Sequence, residues 1–320
     1  MSNERRARRL QAGWGMRTGA AAFAVALLAA CSSEPKSGFD TENGSSSGRF
    51  GSNGGFGTDG GNELSGDGCS DAARLVYVLS QENDLHSFTP NTGSFVKVGR
   101  LDCPTSGFAT PNSMAVDRQG TAWVNYSDGA LFKVSTTDAS CSATSFAPGQ
   151  AGFLRFGMAF STNAQGSPDE TLYISGLDSF GGGGGRGLGK IDLKTMKLTM
   201  LGDYSGRLAG QGAELTGTGD GRLFGFFTTQ PNATLAEIDK SKGSTSGDKS
   251  LQGVSTGNAW AFSFWGGDFW FYTSDGLSPS RVTQLRTSSD GKIEVVKPDV
   301  GGFRIVGAGV STCAPTTPPK

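Results

Sequence analysis

One recurrence constrains this chain more than any other feature. A short segment of small and apolar residues returns at successive spacings of 44, 57, 47 and 46 residues. The five segments begin at Met114, Met158, Leu215, Phe262 and Ala308. Hairpin-forming Asp-Gly pairs lie between further strand-like runs, and no stretch has the 3.6-residue period of a capped helix. Repeats of about 40–50 residues with four short strands each are typical of a β-propeller.

The two ends of the repeat array predict how the ring closes. The first repeat begins with its second strand, Arg74–Leu79, and the array ends with a lone first strand, Arg304–Val310. If the last strand completes the first blade, neither of these two strands is left as an open sheet edge. We therefore predict an all-β fold over residues 69–313, a β-propeller of five four-stranded blades, with six blades as the open alternative. Residues 314–320 are predicted to form a disordered tail.

The first thirty residues have the features of an export signal. Five Arg and one Glu precede an apolar run at 20–30, which is too short to span a bilayer. The run ends in Leu28-Ala29-Ala30-Cys31, which resembles the lipobox of bacterial lipoproteins. The resemblance implies that residues 1–30 are a cleaved signal peptide and that Cys31 carries fatty acyl chains such as palmitate. Ser32, in place of Asp, implies sorting to the outer membrane of the bacterial envelope.

Composition separates a tether from the propeller body and limits the partners. Residues 31–68 are rich in Gly, Ser, Asn and Asp, which predicts a flexible tether. The formal net charge of −1 argues against the basic face of a nucleic-acid-binding protein. The expected contacts are therefore the membrane, through the lipid on Cys31, and an unidentified protein or envelope polymer.

One repeat carries a recognisable motif. Asp117, Gly120 and Trp123-Val124 follow an apolar strand in a pattern that resembles the NHL and gluconolactonase-type propeller repeat. Calcium-dependent lactonases of that architecture hold a metal in the central tunnel through Glu, Asn and Asp at the starts of inner strands. The positions equivalent to such ligands are Asn112, Phe156, Ala213, Trp260 and Val306, and a shift of one residue adds Glu214. Calcium normally needs six to eight oxygen donors. We predict no metal or other cofactor, with Asn112 and Glu214 as the remaining candidate ligands.

No other motif predicts catalysis. His86 is the single histidine, and no nucleophile motif accompanies it. Gly184-Gly185-Arg186-Gly187-Leu188-Gly189-Lys190-Ile191 approaches a phosphate-binding loop, but Ile191 replaces the hydroxyl residue. We predict no catalytic residue, and a lipid-anchored, non-catalytic binding or scaffold module. The alternative is a metal-dependent hydrolase or lyase of the gluconolactonase or streptogramin-lyase type.

Four cysteines remain besides Cys31, and in an exported protein an even number favours disulfides. Cys69 lies just before the first strand of the body and Cys313 just after the closing strand. Pairing of those strands predicts a Cys69–Cys313 disulfide. Cys103 and Cys141, near the outer strands of the first two blades, are then predicted to pair with each other.

Overall fold

The computed structural model of the protein describes residues 67–177 and 185–319. The predicted signal peptide, Cys31 and all but the end of the predicted tether lie outside this range. Within it, twenty strands and three short 3₁₀ turns occur. No helix in these two ranges is long and apolar enough to cross a bilayer.

The strands form five antiparallel sheets of four strands, as predicted. Blade 1 contains β1 (Val76–Ser80), β2 (Asp84–Thr89), β3 (Ser94–Arg100) and, from the far end of the chain, β20 (Ile305–Val310). Blade 2 contains β4 (Pro111–Val116), β5 (Thr121–Tyr126), β6 (Leu131–Ser135) and β7 (Cys141–Ala143). Blade 3 contains β8 (Arg155–Thr162), β9 (Glu170–Leu177), β10 (Leu188–Asp192) and β11 (Lys197–Gly202). Blade 4 contains β12 (Ala213–Gly217), β13 (Leu223–Phe227), β14 (Thr234–Ile238) and β15 (Thr245–Ser250). Blade 5 contains β16 (Ala259–Trp265), β17 (Asp268–Ser274), β18 (Arg281–Leu285) and β19 (Ile293–Lys297).

The first strand of each blade lines the centre of the ring. β20 packs on β4, β4 on β8, β8 on β12, β12 on β16, and β16 returns to β20. This closed cycle confirms the five-bladed propeller and excludes the six-bladed alternative. Because these inner strands all run in the same direction, their starts meet at one end of the tunnel and their ends at the other.

The closing strand joins the first blade as the repeat register predicts. β20 pairs antiparallel with β1, with Val310 opposite Val76 and Ala308 opposite Val78. Both predicted disulfides are present. Cys69 and Cys313 bridge the seam, with their Cα atoms 5.9 Å apart. Cys103 and Cys141, with Cα atoms 5.0 Å apart, join the connection between blades 1 and 2 to the outer strand of blade 2.

The outer strand of blade 2 differs in position from the strand that the sequence predicts. The apolar pattern predicts a strand at Ala143–Phe146, whereas β7 spans Cys141–Ala143. The Thr144 hydroxyl donates to the Leu131 carbonyl at 2.6 Å. Phe146 is buried and packs its ring against Phe156 of the next blade, with centroids 6.0 Å apart. The chain therefore leaves the sheet because a core position in the neighbouring blade buries this aromatic side chain.

Burial of both sheet faces explains why these strands lack a polar side. All seven residues of β17 are buried. Phe226 of blade 4 packs against Phe262 and Phe271 of blade 5, with ring centroids 5.6 and 4.9 Å apart. A sheet between two neighbours loses water from both faces, so apolar residues are favoured at every position.

The Asp117 motif is a turn held by one carboxylate. Asp117 Oδ1 accepts hydrogen bonds from the backbone N–H of Gln119 and Thr121, at 3.1 and 2.8 Å. Its Oδ2 accepts one from the Trp123 indole at 3.0 Å. Gly120 adopts a φ of +81°, which a residue with a Cβ rarely adopts. The motif therefore shapes the hairpin between the first two strands of blade 2.

Candidate functional site

A cavity of about 330 Å³ opens at the end of the tunnel where the inner strands begin. Each blade contributes to it near the first residues of its inner strand. The lining includes Asn112 of β4, Arg155 of β8, Glu214 of β12, Trp260 of β16 and Val306 of β20. The tunnel mouth, as we call this cavity and its rim, therefore contains both candidate ligands chosen from the sequence.

Glu214 is the carboxyl group of the tunnel mouth. Its side chain is buried, with only 3% of the residue exposed. Ser113 Oγ donates a hydrogen bond to Glu214 Oε2 at 2.7 Å, which joins blade 2 to blade 4 across the tunnel. Burial raises the pKa of the Glu214 carboxyl well above its ordinary value, although the Ser113 hydrogen bond acts in the opposite direction. Burial therefore favours the protonated form of Glu214, which can donate as well as accept a hydrogen bond.

A pair of amides fixes the orientation of Asn112. Asn112 Nδ2 donates to Asn125 Oδ1 at 3.1 Å and to the Phe156 carbonyl at 3.2 Å. Since a carbonyl can only accept, the amide nitrogen must face Phe156, and Asn112 Oδ1 is the atom left over. No described residue donates a hydrogen bond to this Oδ1.

Asn125 lies beneath Asn112 and is fully buried. Its Oδ1 also accepts the backbone N–H of Phe156 at 3.2 Å, and its Nδ2 donates to the carbonyls of Ala130 and Leu154, both at 3.3 Å. The whole hydrogen-bonding capacity of this side chain is used within blades 2 and 3. Asn125 is therefore a positioning residue, which the sequence analysis did not single out.

The rim of the tunnel mouth carries two guanidinium groups. Arg155 stands at the start of β8, and Arg304 immediately precedes β20. Arg304 Nη1 donates to the Gly276 carbonyl at 2.8 Å. The same loop is tied to Asn258, whose Oδ1 accepts the Gly276 N–H at 2.7 Å. A short loop of blade 5 therefore holds Arg304 in place.

Trp260 leaves one polar atom without a partner. Its indole Nε1 is shielded from solvent and has no hydrogen bond to any described residue. Trp260 occupies the position equivalent to Asn112 in its own blade. At this position blade 5 has an indole where blade 2 has an amide, so blade 5 offers no side-chain oxygen to a metal ion.

The residues of the tunnel mouth do not fit a calcium ion. No group of three or more His, Cys, Asp or Glu that could hold a metal occurs in residues 67–177 and 185–319. Glu214 contributes the one carboxyl to the cavity lining, and its burial opposes ionisation. Phe156, Ala213 and Val306 supply no side-chain oxygen at the equivalent positions. Six to eight oxygen ligands cannot be assembled from this set.

The opposite end of the tunnel has a different arrangement. A cavity of about 750 Å³ there is lined by Arg118, Asp220 and the Cys69–Cys313 disulfide, among others. Beside it, Glu170 accepts hydrogen bonds from the Arg118 backbone N–H at 2.9 Å and from the Thr312 hydroxyl at 2.7 Å. Burial raises the pKa of Glu170 to about 7. This carboxyl holds the end of β20 against blades 2 and 3.

Neither His86 nor the described part of the glycine-rich segment lines the cavity of the tunnel mouth. His86 is on β2, where its ring stacks on Phe303 with centroids 4.4 Å apart. Burial lowers the pKa of His86 from its ordinary value. The glycine-rich segment continues into β10 at Leu188, and no helix follows it within the part of the chain that is described. A phosphate-binding loop needs that helix.

No protein-family model matches this chain, and no curated protein matches it. Among solved structures, it is similar to a gluconolactonase from Xanthomonas campestris, with 14% identity, a TM-score of 0.43 and coverage of 72% of this chain and 74% of that one. A luciferin-regenerating enzyme is 12% identical, with a TM-score of 0.43 and coverage of 72% and 76%. The Dos1 propeller is 12% identical with a TM-score of 0.39, and the match covers 74% of this chain but 60% of that one. Identity at this level concerns fold and does not transfer activity.

Proposed function

We propose that this protein is a non-catalytic binding module of the bacterial cell envelope, anchored by lipid on Cys31, and that it takes its ligand at the tunnel mouth. The observation that carries the proposal is the isolation of Glu214, a buried carboxyl with no other carboxyl in the lining of the cavity. A single buried carboxyl with amides around it can hydrogen-bond a ligand, but it lacks the partners needed for metal-assisted hydrolysis. The ligand would be a small molecule or the end of an envelope polymer.

The alternative is a metal-dependent hydrolase or lyase. One observation favours it, because Asn112 and Glu214 line the same cavity. Under this alternative Glu214 would have to ionise and other oxygen donors would have to come from the ligand or from solvent. The two functions therefore differ in their response to divalent cations.

Thermal unfolding of the full-length protein with and without Ca²⁺ or Mg²⁺ separates them. We expect no change in the melting temperature Tm with either ion. A native-state site at 100 times its Kd would add about 2.7 kcal/mol, which is a rise in Tm of about 5–10 °C for a body of this size. Glu214→Gln is the matched variant. A Ca²⁺-dependent rise that disappears in Glu214→Gln would replace the proposal by the hydrolase.

Membrane fractionation tests the anchor. Cys31→Ser removes the acylated sulfur and should release the protein from the membrane fraction, because acyl chains supply its attachment. Ser33→Ala is the control and should fractionate like the wild type. A Cys31→Ser protein that is still membrane-bound would refute the lipid anchor and leave the ligand site to be judged by the metal experiment.

A further inference from the structure

The segment that follows β20 packs on a hairpin of blade 5, at the end of the ring opposite the tunnel mouth. Gly266 and Gly267 form the turn between β16 and β17, with φ angles of +67° and +84°. The Gly266 N–H donates a hydrogen bond to the Pro315 carbonyl at 2.7 Å. A Cβ built on Gly267 would lie 3.1 Å from the Thr316 carbonyl oxygen and 3.6 Å from Cδ of Pro318. The two glycines therefore leave room for a peptide backbone to cross the turn.

Two cavities meet at this turn, and residues 315–319 fill only part of the space around it. The smaller cavity, of about 270 Å³, is lined by side chains that include Trp265, Trp270, Pro318 and Pro319. The larger, of about 490 Å³, is lined by Thr316 and Pro318 and by apolar side chains of blades 4 and 5 that include Phe224, Phe264, Phe269 and Leu285. We call the turn and its two cavities the hairpin groove. It has apolar space beyond what its own segment occupies.

The aromatic lining of the hairpin groove offers ring surface and few hydrogen-bonding groups. The Trp265 indole N–H donates to the Arg74 carbonyl at 3.0 Å, and the Trp270 indole N–H donates to the Trp265 carbonyl at 3.1 Å. Both indole donors are therefore already used within the protein. Proline-rich peptides dock in aromatic-lined grooves of this kind, because proline rings are apolar and their restricted backbone loses little entropy on binding.

The charged side chains of the hairpin groove do not select a charged ligand. Asp268, in the smaller cavity, accepts hydrogen bonds through both carboxylate oxygens. In the larger cavity Arg222 forms an ion pair with Glu237, with Nη2 and Oε2 2.7 Å apart. Asp220 and Lys249, the other ionisable side chains of that cavity, have opposite charges. A neutral, apolar segment therefore fits this surface better than a strongly charged one.

We infer that the hairpin groove binds a proline-rich segment of a partner protein, and that residues 315–319 occupy the same groove in cis until that partner replaces them. The chain's own segment shows which chemistry fits, since three of these five residues are proline and a backbone hydrogen bond holds the first of them. The unfilled cavities leave room for larger apolar side chains of the partner. Because the hairpin groove and the tunnel mouth lie at opposite ends of the ring, this inference does not depend on the proposed function.

Fluorescence anisotropy with the full-length protein in detergent tests the inference. The probe is a labelled peptide with the sequence of residues 314–319, Ala-Pro-Thr-Thr-Pro-Pro, and the control peptide has alanine in place of each proline. We expect the double variant Pro318→Ser with Pro319→Ser to bind the proline peptide about tenfold more tightly than the wild type does. A segment that covers the groove in about nine of ten molecules raises the apparent Kd by that factor. The alanine peptide should bind to neither protein.

Two further substitutions, each added to the double variant, locate the binding site. Gly267→Asn introduces a residue that tolerates positive φ but places a Cβ against the peptide carbonyl, so it should weaken binding of the proline peptide about tenfold. Gly253→Asn is the matched control and should bind like the double variant. Gly253 has a φ of +77°, and a Cβ built on it meets no atom within 4 Å.

Four results would overturn the inference. They are equal affinity of the wild type and the double variant, equal affinity for the two peptides, unchanged binding after Gly267→Asn, and no binding of the proline peptide to the double variant. Analytical ultracentrifugation of the wild type tests the other occupant. A dimer that is lost in the double variant would also overturn the inference, because the groove would then hold residues 315–319 of a second copy.

Discussion

Two carboxyl groups lie at opposite ends of the tunnel, and burial raises the pKa of both. Glu214 faces the tunnel mouth, where it lines the cavity. Glu170 faces the seam, where Arg118 and Thr312 occupy both of its oxygens. The same physical effect therefore acts on a carboxyl in the cavity lining at one end and on a carboxyl at the seam at the other.

The pKa of Glu170 predicts that the seam is more stable in mild acid. The folded carboxyl keeps its proton up to about pH 7, whereas in the unfolded chain it releases it near 4.5. Between these values the folded state binds more protons, so the free energy of unfolding falls as pH rises. After allowance for partial solvent exposure, the fall is about 2 kcal/mol between pH 4.5 and 8. Urea unfolding of wild type and Glu170→Gln at both pH values measures it.

In that comparison Glu170→Gln keeps the hydrogen-bonding shape but cannot ionise, so it should lack this part of the pH dependence. Glu237→Gln, at an exposed position, is the control and should follow the wild type. Equal pH dependence in wild type and Glu170→Gln would contradict the assignment.

We expect loss of the Asn125 side chain to lower the free energy of unfolding more than loss of the Asn112 side chain, which Asn125 positions. Asn125→Ala leaves the Leu154 carbonyl and the Phe156 N–H without their side-chain partner in a buried place. We expect the free energy of unfolding to fall by about 3 kcal/mol, since each unsatisfied buried group costs about 1–3 kcal/mol. Asn112→Ala, at the partly exposed neighbour, should cost about 1 kcal/mol. Equal losses in urea unfolding would show that Asn125 has no such role.

The inner strands β8 and β12 approach one another so closely that Gly157 and Gly217 have no room for a Cβ. A Cβ built on Gly157 of β8 would collide with the backbone carbonyl of Ala213 on β12. That carbonyl belongs to the residue before Glu214, so the contact fixes where the buried acid enters the tunnel. The width of the tunnel mouth thus depends on the absence of a side chain.

Gly157→Ala should therefore destabilise the ring by about 3 kcal/mol, because the colliding atom is backbone and cannot turn away. Gly189→Ala on β10 is the matched control. Its Cβ would lie 3.2 Å from the nearest atom, the Thr199 carbonyl, and a small shift relieves the contact. Thermal unfolding of both variants is the measurement. Similar Tm values would show that the inner strands have room to separate.

The sequence predicts the strands correctly where short apolar runs alternate with turn signals. It predicts them less well where packing between blades determines where a strand ends. The inner strands and the shared blade follow from spacing and register alone. β7 does not, because the burial of Phe146 depends on the neighbouring blade. The two candidate ligands could be placed at the tunnel mouth from strand register. Asn125 could not, because its role depends on carbonyls that only the folded chain brings to it.

At the scale of the whole molecule, the ring has one break in chain continuity, and a disulfide spans it. Cys69 and Cys313 are 244 residues apart in sequence, and Cys103 and Cys141 are 38 apart. Loop-closure entropy assigns about 5.5 kcal/mol to the first disulfide and about 4 kcal/mol to the second. We therefore expect the Cys69–Cys313 disulfide to contribute more to the free energy of unfolding than the Cys103–Cys141 disulfide. All four cysteines are buried or half-buried.

Paired serine variants test this ranking. We expect Cys69→Ser with Cys313→Ser to lose more stability than Cys103→Ser with Cys141→Ser, by about 1.5 kcal/mol. Changing both cysteines of a pair avoids a free thiol that could form other disulfides. Urea unfolding under non-reducing conditions gives the comparison. A larger loss from the Cys103 and Cys141 pair would show that the seam is held by β-pairing and not by its disulfide.

The shared blade also sets the order in which the protein can be completed. β1 is made early, and all five of its residues are buried in the finished ring. Its inner partner, β20, is made only after the four intervening blades. Throughout synthesis of four intervening blades, an apolar strand edge has no partner of its own, which is the situation that invites pairing with another chain. A holdase chaperone that covers Val76–Ser80 until residue 310 arrives would protect the growing chain.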